Sequence, residues 1–116
     1  MTPPDEFVAY ALDQHSAFGE VRARPMFGGW GIYHQGVMFA LIAYGELYYK
    51  VDDTNRADYE AVGSAPFTYE GKGKPVNMSY WHIGEDILES PDALADWARK
   101  AFAVAVANKK PKKRGQ

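Results

Sequence analysis

The chain contains no cysteine among its 116 residues. Disulfide bonds, thiol nucleophiles and zinc sites with thiolate ligands are therefore excluded, and a cytoplasmic location is expected from this composition. Histidine is scarce as well, because only His15, His34 and His82 occur, in different predicted elements and without a His-x-His spacing. This distribution favours no metal site, and we expect no cofactor.

Long apolar runs are also lacking. No segment approaches the roughly 18 consecutive apolar residues that a membrane-spanning helix needs, and the N-terminus lacks the basic and apolar regions of a signal peptide. Catalytic motifs are missing too: Ser79 stands in Met-Ser-Tyr, not in a Gly-x-Ser-x-Gly elbow. We therefore expect no membrane contact and no enzymatic activity.

Apolar residues make up 47% of the chain and aromatic residues 15%, which predicts a packed core. The length suits one domain, predicted over residues 1–108. All 15 acidic residues precede residue 109 together with eight Lys and Arg, so this body carries a charge of −7. The remaining five cationic side chains predict a basic, disordered tail over 109–116; they are Lys109, Lys110, Lys112, Lys113 and Arg114.

Helical and strand periodicities alternate along the chain in a simple order. Three apolar runs between Met26 and Val51 are separated by Gly-containing breaks, which is typical of consecutive β-hairpins. The pattern predicts an α+β domain with two layers, in which an antiparallel sheet of about five strands carries helices mainly on one face. The predicted order is α-β-β-β-β-α-β-β-α, with helices at 3–17, 56–62 and 91–108 and strands at 20–26, 32–34, 37–43, 47–51, 67–70 and 76–81.

The run from Val37 to Ala43 is apolar at every position. A strand without a polar face is covered on both sides, so we predict a central position, with helices on one face and either the curled sheet or another protein on the other. A homodimer is one such arrangement. The glycines at 28–31 precede a strand instead of a helix, which favours a bulge or tight connection over a phosphate-binding loop.

With these motifs in view, the chain resembles the N-terminal domain of the TfoX/Sxy competence-regulator family from about Phe7 to Ala107. The motifs that carry the resemblance are Arg24-Pro25-Met26-Phe27-Gly28-Gly29-x-Gly31-Ile32-Tyr33, Met38-Phe39-Ala40-Leu41-Ile42, Leu47-Tyr48-Tyr49-Lys50-Val51-Asp52, Asn55-Arg56, Phe67-x-Tyr69, Met78-Ser79-Tyr80-Trp81 and Leu94-x-x-Trp97-Ala98.

The resemblance implies a two-layer α+β domain without catalytic residues. Two-domain members of the family regulate competence in bacteria by assisting the cyclic-AMP receptor protein at promoters, and they carry a further C-terminal domain of helix-hairpin-helix type. This sequence ends at the basic tail instead. The resemblance therefore implies a regulatory interaction domain whose partner is a protein, with the transcription machinery or the cyclic-AMP receptor protein as candidates.

Two alternatives stay open beside protein contact. The first is direct but weak nucleic-acid binding by a basic hairpin tip and the tail, with an aromatic residue stacking on bases. Its contact candidates are Arg24, Lys72, Lys74, Tyr80, Trp81 and the five cationic tail residues. The second is a small-molecule pocket with polar groups converging around Arg24, Tyr33 and His82.

Overall fold

The computed structural model describes residues 4–26, 29–71 and 74–108. Their elements are α1 (Pro4–Gln14), β1 (Arg22–Met26), β2 (Gly29–His34), β3 (Val37–Ala43), β4 (Glu46–Lys50), α2 (Arg56–Ala61), β5 (Pro66–Gly71), β6 (Lys74–Ile83), α3 (Glu85–Leu88) and α4 (Pro91–Asn108). None of the helices in these ranges is long and apolar enough to cross a membrane.

The strands form one antiparallel sheet in the order β1-β2-β3-β4-β6-β5. The predicted α+β class and chain order are confirmed, and all six strands of that order belong to this one sheet, which was predicted to have about five. The short helix α3 was not predicted. Helix α1 ends at Gln14 instead of residue 17, because residues 15–18 turn: the Phe18 and Gly19 amides both donate to the His15 carbonyl.

Strand register divides the sheet into two faces. On the helix side, Ala40 lies opposite Tyr49, which lies opposite Trp81. On the other side, Gly31 lies opposite Leu41, and that row continues through Tyr48 to His82. Because successive side chains of a strand alternate between faces, these two rows define the faces of the whole sheet.

A register shift in the β2–β3 pair places Phe39 on the helix side. Ile32 pairs with Ala40 and Tyr33 pairs with Met38, so Phe39 is left as the extra residue of a bulge. Its ring is fully buried and contacts the rings of His15 and Phe102. The bulge therefore adds one large aromatic residue to the core.

The core lies between the sheet and the helices. One cluster of buried residues draws on all four helices and on the helix-side positions of the strands. Helix α4 contributes small residues to it, including the fully buried Ala98 and Ala101, which let the helix lie close to β3 and β4. Its predicted start at Pro91 and its end at Asn108 are confirmed.

Both predicted hairpin turns are present. Each places two consecutive residues at positive φ, Gln35 and Gly36 in the β2–β3 turn and Tyr44 and Gly45 in the β3–β4 turn. Two consecutive positive φ values are the signature of a type I′ turn, which matches the twist of the strands that it joins.

Proline stands in both edge strands, Pro25 in β1 and Pro66 in β5. A proline such as Pro25 indicates an edge strand or the end of a strand, because its nitrogen has no hydrogen to donate, and β1 does lie at the edge of the sheet. In β2, the strand next to β1, Gly29 approaches β3 closely: a Cβ atom added there would lie 2.2 Å from the Ile42 carbonyl oxygen. Glycine is therefore required at this position by close approach of two backbones.

Candidate functional site

The candidate site is the face of the sheet opposite the helices, here called the open face. All four helices pack on the other side through the core cluster, so none of the described helices covers this one. Strand alternation assigns to the open face Arg22, Arg24, Met26, Gly31, Tyr33, Met38, Leu41, Glu46, Tyr48, Lys50, Tyr80 and His82.

The centre of the open face is covered by side chains of the sheet itself. A Cβ atom added to Gly31 would lie 3.0 Å from the Met26 sulfur, 3.1 Å from the Met38 sulfur and 3.2 Å from the Tyr33 ring. Leu41, which lies opposite Gly31, is only 6% exposed. Strand β3 is therefore covered on both sides, as its composition indicated, while the predicted homodimer stays a prediction.

Two tyrosines of the open face each lie against a cation. The Arg24 guanidinium carbon is 5.6 Å from the centre of the Tyr33 ring, and the Lys50 ammonium is 5.0 Å from that of Tyr80. Burial, followed by the proximity of Tyr33, raises the pKa of Tyr80 above its usual value. We call Arg24, Tyr33, Lys50 and Tyr80 the tyrosine–cation cluster, in which a positive charge lies over each ring.

At the turn end of β3 and β4, three aromatic side chains form a continuous surface, here called the aromatic ridge. The Phe67 ring lies 4.9 Å from that of Tyr48 and 6.3 Å from that of Tyr44. Beside the ridge, His82 Nε2 lies 2.6 Å from a carboxylate oxygen of Glu46. The ridge therefore combines aromatic area with a polar rim, a composition typical of protein interfaces.

Tyr44, at the outer end of the ridge, combines high exposure with an unfavourable backbone conformation. Its φ is +55°, in the left-handed region that bulky residues seldom adopt, and its side chain is 89% exposed. Asn or Gly is the usual residue at this position of a type I′ turn. Local folding energetics therefore do not explain the presence of tyrosine there.

Comparison with known proteins now identifies the domain. The profile of the TfoX N-terminal domain matches residues 13–105. The chain belongs to the TfoX N-terminal domain family. A DNA transformation protein of Aliivibrio fischeri, TfoX1, is 27% identical over 84 residues, which are 72% of this chain and 40% of that relative. The match thus spans about two fifths of the relative's length, and the resemblance read from the sequence motifs is confirmed.

The structure brings together some of the predicted contact residues of this TfoX N-terminal domain and separates others. Arg24 and Tyr80 share the open face, whereas Trp81 points to the helix side, where its ring lies 6.2 Å from that of Tyr59. Lys72, the Lys74 side chain and the tail residues 109–116 lie outside the described part.

The predicted small-molecule site is divided in the same way. Arg24 and Tyr33 line an open groove of about 900 Å³ at the β1 edge. His82 is not among its described lining residues, because β3 and β4 separate β6 from β2, and it bonds Glu46 instead.

The acidic turn after β4 uses its polar groups internally. Asp52 accepts hydrogen bonds from the hydroxyl of Thr54, from the Asn108 side chain and from the Thr54 amide, which lower the pKa of its carboxyl. Asn55 is the N-cap residue directly before α2, but its side chain caps no helix amide; its oxygen accepts a hydrogen bond from the Asp52 amide. Within the described ranges, no three His, Asp or Glu side chains are grouped as metal ligands would be.

Lys50 and Tyr44 were not among the contact residues predicted from the sequence. Lys50 was visible as the polar residue between Tyr49 and Val51, but only the sheet order places it beside Tyr80 of β6. Tyr44 lies in the Gly-containing break between the second and third apolar runs, and its signal was a bulky residue directly before Gly45, at a position that favours Asn.

Proposed function

We propose that this TfoX N-terminal domain is a non-enzymatic regulatory domain that works by binding another protein through the aromatic ridge. Membership of a competence-related family supports a regulatory role. The first candidate partners are the transcription machinery and the cyclic-AMP receptor protein of the host, which would place the domain in the cytoplasm.

Tyr44 carries this proposal. Left-handed backbone costs about 1–2 kcal/mol for a residue with a side chain, yet the exposed Tyr44 ring makes only one ring contact among the described residues, with Phe67. A residue that is unfavourable where it stands and exposed to solvent points to a role outside folding. Tyrosine is also enriched among the residues that dominate protein–protein binding energy.

Substitution Tyr44→Asn separates folding from binding. Asn-Gly is the preferred type I′ pair, so the variant should be more stable by about 1 kcal/mol. Capture of the cyclic-AMP receptor protein or RNA polymerase from purified components should fall at least tenfold, because the exposed ring is lost. Denaturant titration and a pull-down with immobilised domain measure the two effects.

Gln35→Asn is the matched control, since Gln35 holds the same position in the β2–β3 turn, with φ at +52°. It should stabilise the domain to a similar degree and leave capture unchanged. If the unmodified domain captures neither protein, or if Tyr44→Asn captures them as well as Gln35→Asn does, the proposal fails.

A further inference from the structure

We propose that the tyrosine–cation cluster binds single-stranded nucleic acid, with the bases on the rings and the phosphates on the cations. This goes beyond the protein contact proposed above and uses different residues, because the aromatic ridge and the cluster share none. The inference therefore stands or falls independently of that contact.

The arrangement of the cluster on the sheet supports base stacking. Tyr33 and Tyr80 belong to β2 and β6, whose backbones are three strand spacings apart in the sheet order, about 14 Å, and the two side chains approach each other across the face between these strands. Both side chains lie on the face that the described helices leave uncovered. Aromatic residues on an antiparallel sheet can stack two or three unpaired bases.

The cations are placed for contact with the phosphates of a strand bound in this way. Arg24 lies against Tyr33, while Lys50 lies against Tyr80 and donates a hydrogen bond to Ser79. An exposed arginine beside an aromatic ring can both stack on a base and pair with a phosphate. Each base-binding ring thus has a phosphate-binding group next to it.

The open face is locally less acidic than the body, whose charge is −7 before residue 109. Among the described strand side chains on this face, the one carboxylate is Glu46, and His82 bonds it at 2.6 Å. Glu20 lies at the margin, 3.8 Å from Arg22. A polyanion can therefore approach the cluster without facing the acidic helix side, where Asp58 and Asp96 lie.

A path for the nucleic-acid strand extends past the cluster. The groove of about 900 Å³ at the β1 edge is lined by Arg22, Arg24 and Tyr33, so it continues from one member of the cluster. An unpaired strand is favoured over a duplex, because the bases of a duplex are stacked on each other and their faces are closed to the tyrosine rings.

Fluorescence anisotropy of a labelled single-stranded oligothymidylate of about twelve nucleotides tests the inference with the full chain. The double variant Arg24→Gln with Lys50→Gln should weaken binding at low salt. It should also make the slope of the logarithm of the binding constant against the logarithm of the salt concentration less steep by about 1.4, since each phosphate contact contributes roughly 0.7 to that slope. Tyr33→Leu and Tyr80→Leu should each weaken binding about tenfold and leave that slope unchanged.

The matched control is Arg99→Gln with Lys100→Gln, which removes two exposed positive charges from α4, on the opposite side of the domain. It should retain binding. A third variant carries Gln at the five cationic tail positions of 109–116. All variants are compared after circular dichroism shows that they are folded.

Three results overturn the inference. The first is the absence of binding at low salt. The second is equal weakening by the cluster and α4 variants, or loss only in the tail variant, either of which shows nonspecific attraction. The third is that the cluster variant no longer captures the partner protein while the unmodified domain binds no oligonucleotide. This result would assign the cluster to the protein contact.

Discussion

At the scale of single residues, two buried tyrosines differ in whether the hydroxyl group has a partner. Tyr49 donates to Nε2 of His15 at 2.6 Å, and His15 Nδ1 donates to the Ala11 carbonyl, also at 2.6 Å. The Tyr59 hydroxyl is buried without a hydrogen-bond partner among the described residues. Because both rings lie in the same core, the pair isolates the effect of one hydrogen bond.

Removal of each hydroxyl should have opposite consequences. Tyr49→Phe should lower the free energy of unfolding by about 1–3 kcal/mol, because His15 Nε2 is left buried without a donor. Tyr59→Phe should be neutral or stabilising, because it removes an unpaired polar group from the core. Urea titration of both variants checks this, and equal losses would contradict the assigned hydrogen bonds.

His15 should also make stability depend on pH. Burial lowers the pKa of its imidazole below the ordinary value of 6.5, against the smaller opposing effect of the hydrogen bond to Ala11. Below about pH 6.5 the unfolded chain therefore binds a proton that the folded domain does not, so stability is lost as the pH falls. A position near the end of a helix would by itself favour a charged histidine, but burial of His15 in the core reverses this effect.

Denaturant titrations at pH 7 and pH 5.5 measure this effect. The free energy of unfolding of the unmodified domain should fall on acidification, and His15→Gln should show a weaker dependence than the unmodified domain. Stability that rises toward pH 5.5 would contradict the buried neutral imidazole.

At the scale of elements, two glycines of β2 are required to different degrees. Gly29 faces the Ile42 carbonyl oxygen, which belongs to backbone held in the sheet, whereas Gly31 faces the ends of the Met26 and Met38 side chains. Gly29→Ala should therefore lower stability by about 3 kcal/mol and Gly31→Ala by about 1 kcal/mol, at the two ends of the range for overpacking. Thermal unfolding compares them, and a larger loss for Gly31→Ala would contradict this close approach.

Turns and helix starts could be predicted from the sequence, because they depend on neighbouring residues. Gly36 and Gly45 mark the Gly-containing breaks of the hairpins, and Ser90 followed by Pro91 is a typical start of a helix, here α4. The bulge at Phe39 could not be predicted, because it depends on the register between two strands. The end of α1 was placed three residues late, because His15 keeps the helical spacing of Ala11 and Leu12 although the chain turns there.

At the scale of the whole molecule, α4 sets the spacing between the two layers. Ala101 is fully buried against the core cluster, whereas Ala103 of the same helix is exposed. Ala101→Leu should lower the free energy of unfolding by about 1–3 kcal/mol because the added atoms have no space. Ala103→Leu should change it by less than about 0.5 kcal/mol. Similar losses in both variants would show that helix propensity, not layer spacing, decides the outcome.

The candidate site could be predicted from the sequence only in part, for a reason that also lies at this scale. Arg24 and Tyr80 were selected individually, but their common face follows from the pairing of β4 with β6, which are separated by α2 and β5. The sequence did not distinguish Tyr80 from Trp81 as a contact candidate. The register then directs Trp81 toward Tyr59 and leaves Tyr80 beside Lys50.

The prolines of the two edge strands bear on how copies of this domain behave at high concentration. A bare sheet edge invites further strands, which is a common route to aggregation. Pro25 and Pro66 each remove an amide donor from an outer strand, and the exposed Arg22 and Arg24 add charge along β1. Growth of the sheet in its own plane is thereby disfavoured at both ends, so the domain can present apolar and aromatic side chains on one face without polymerising through its edges.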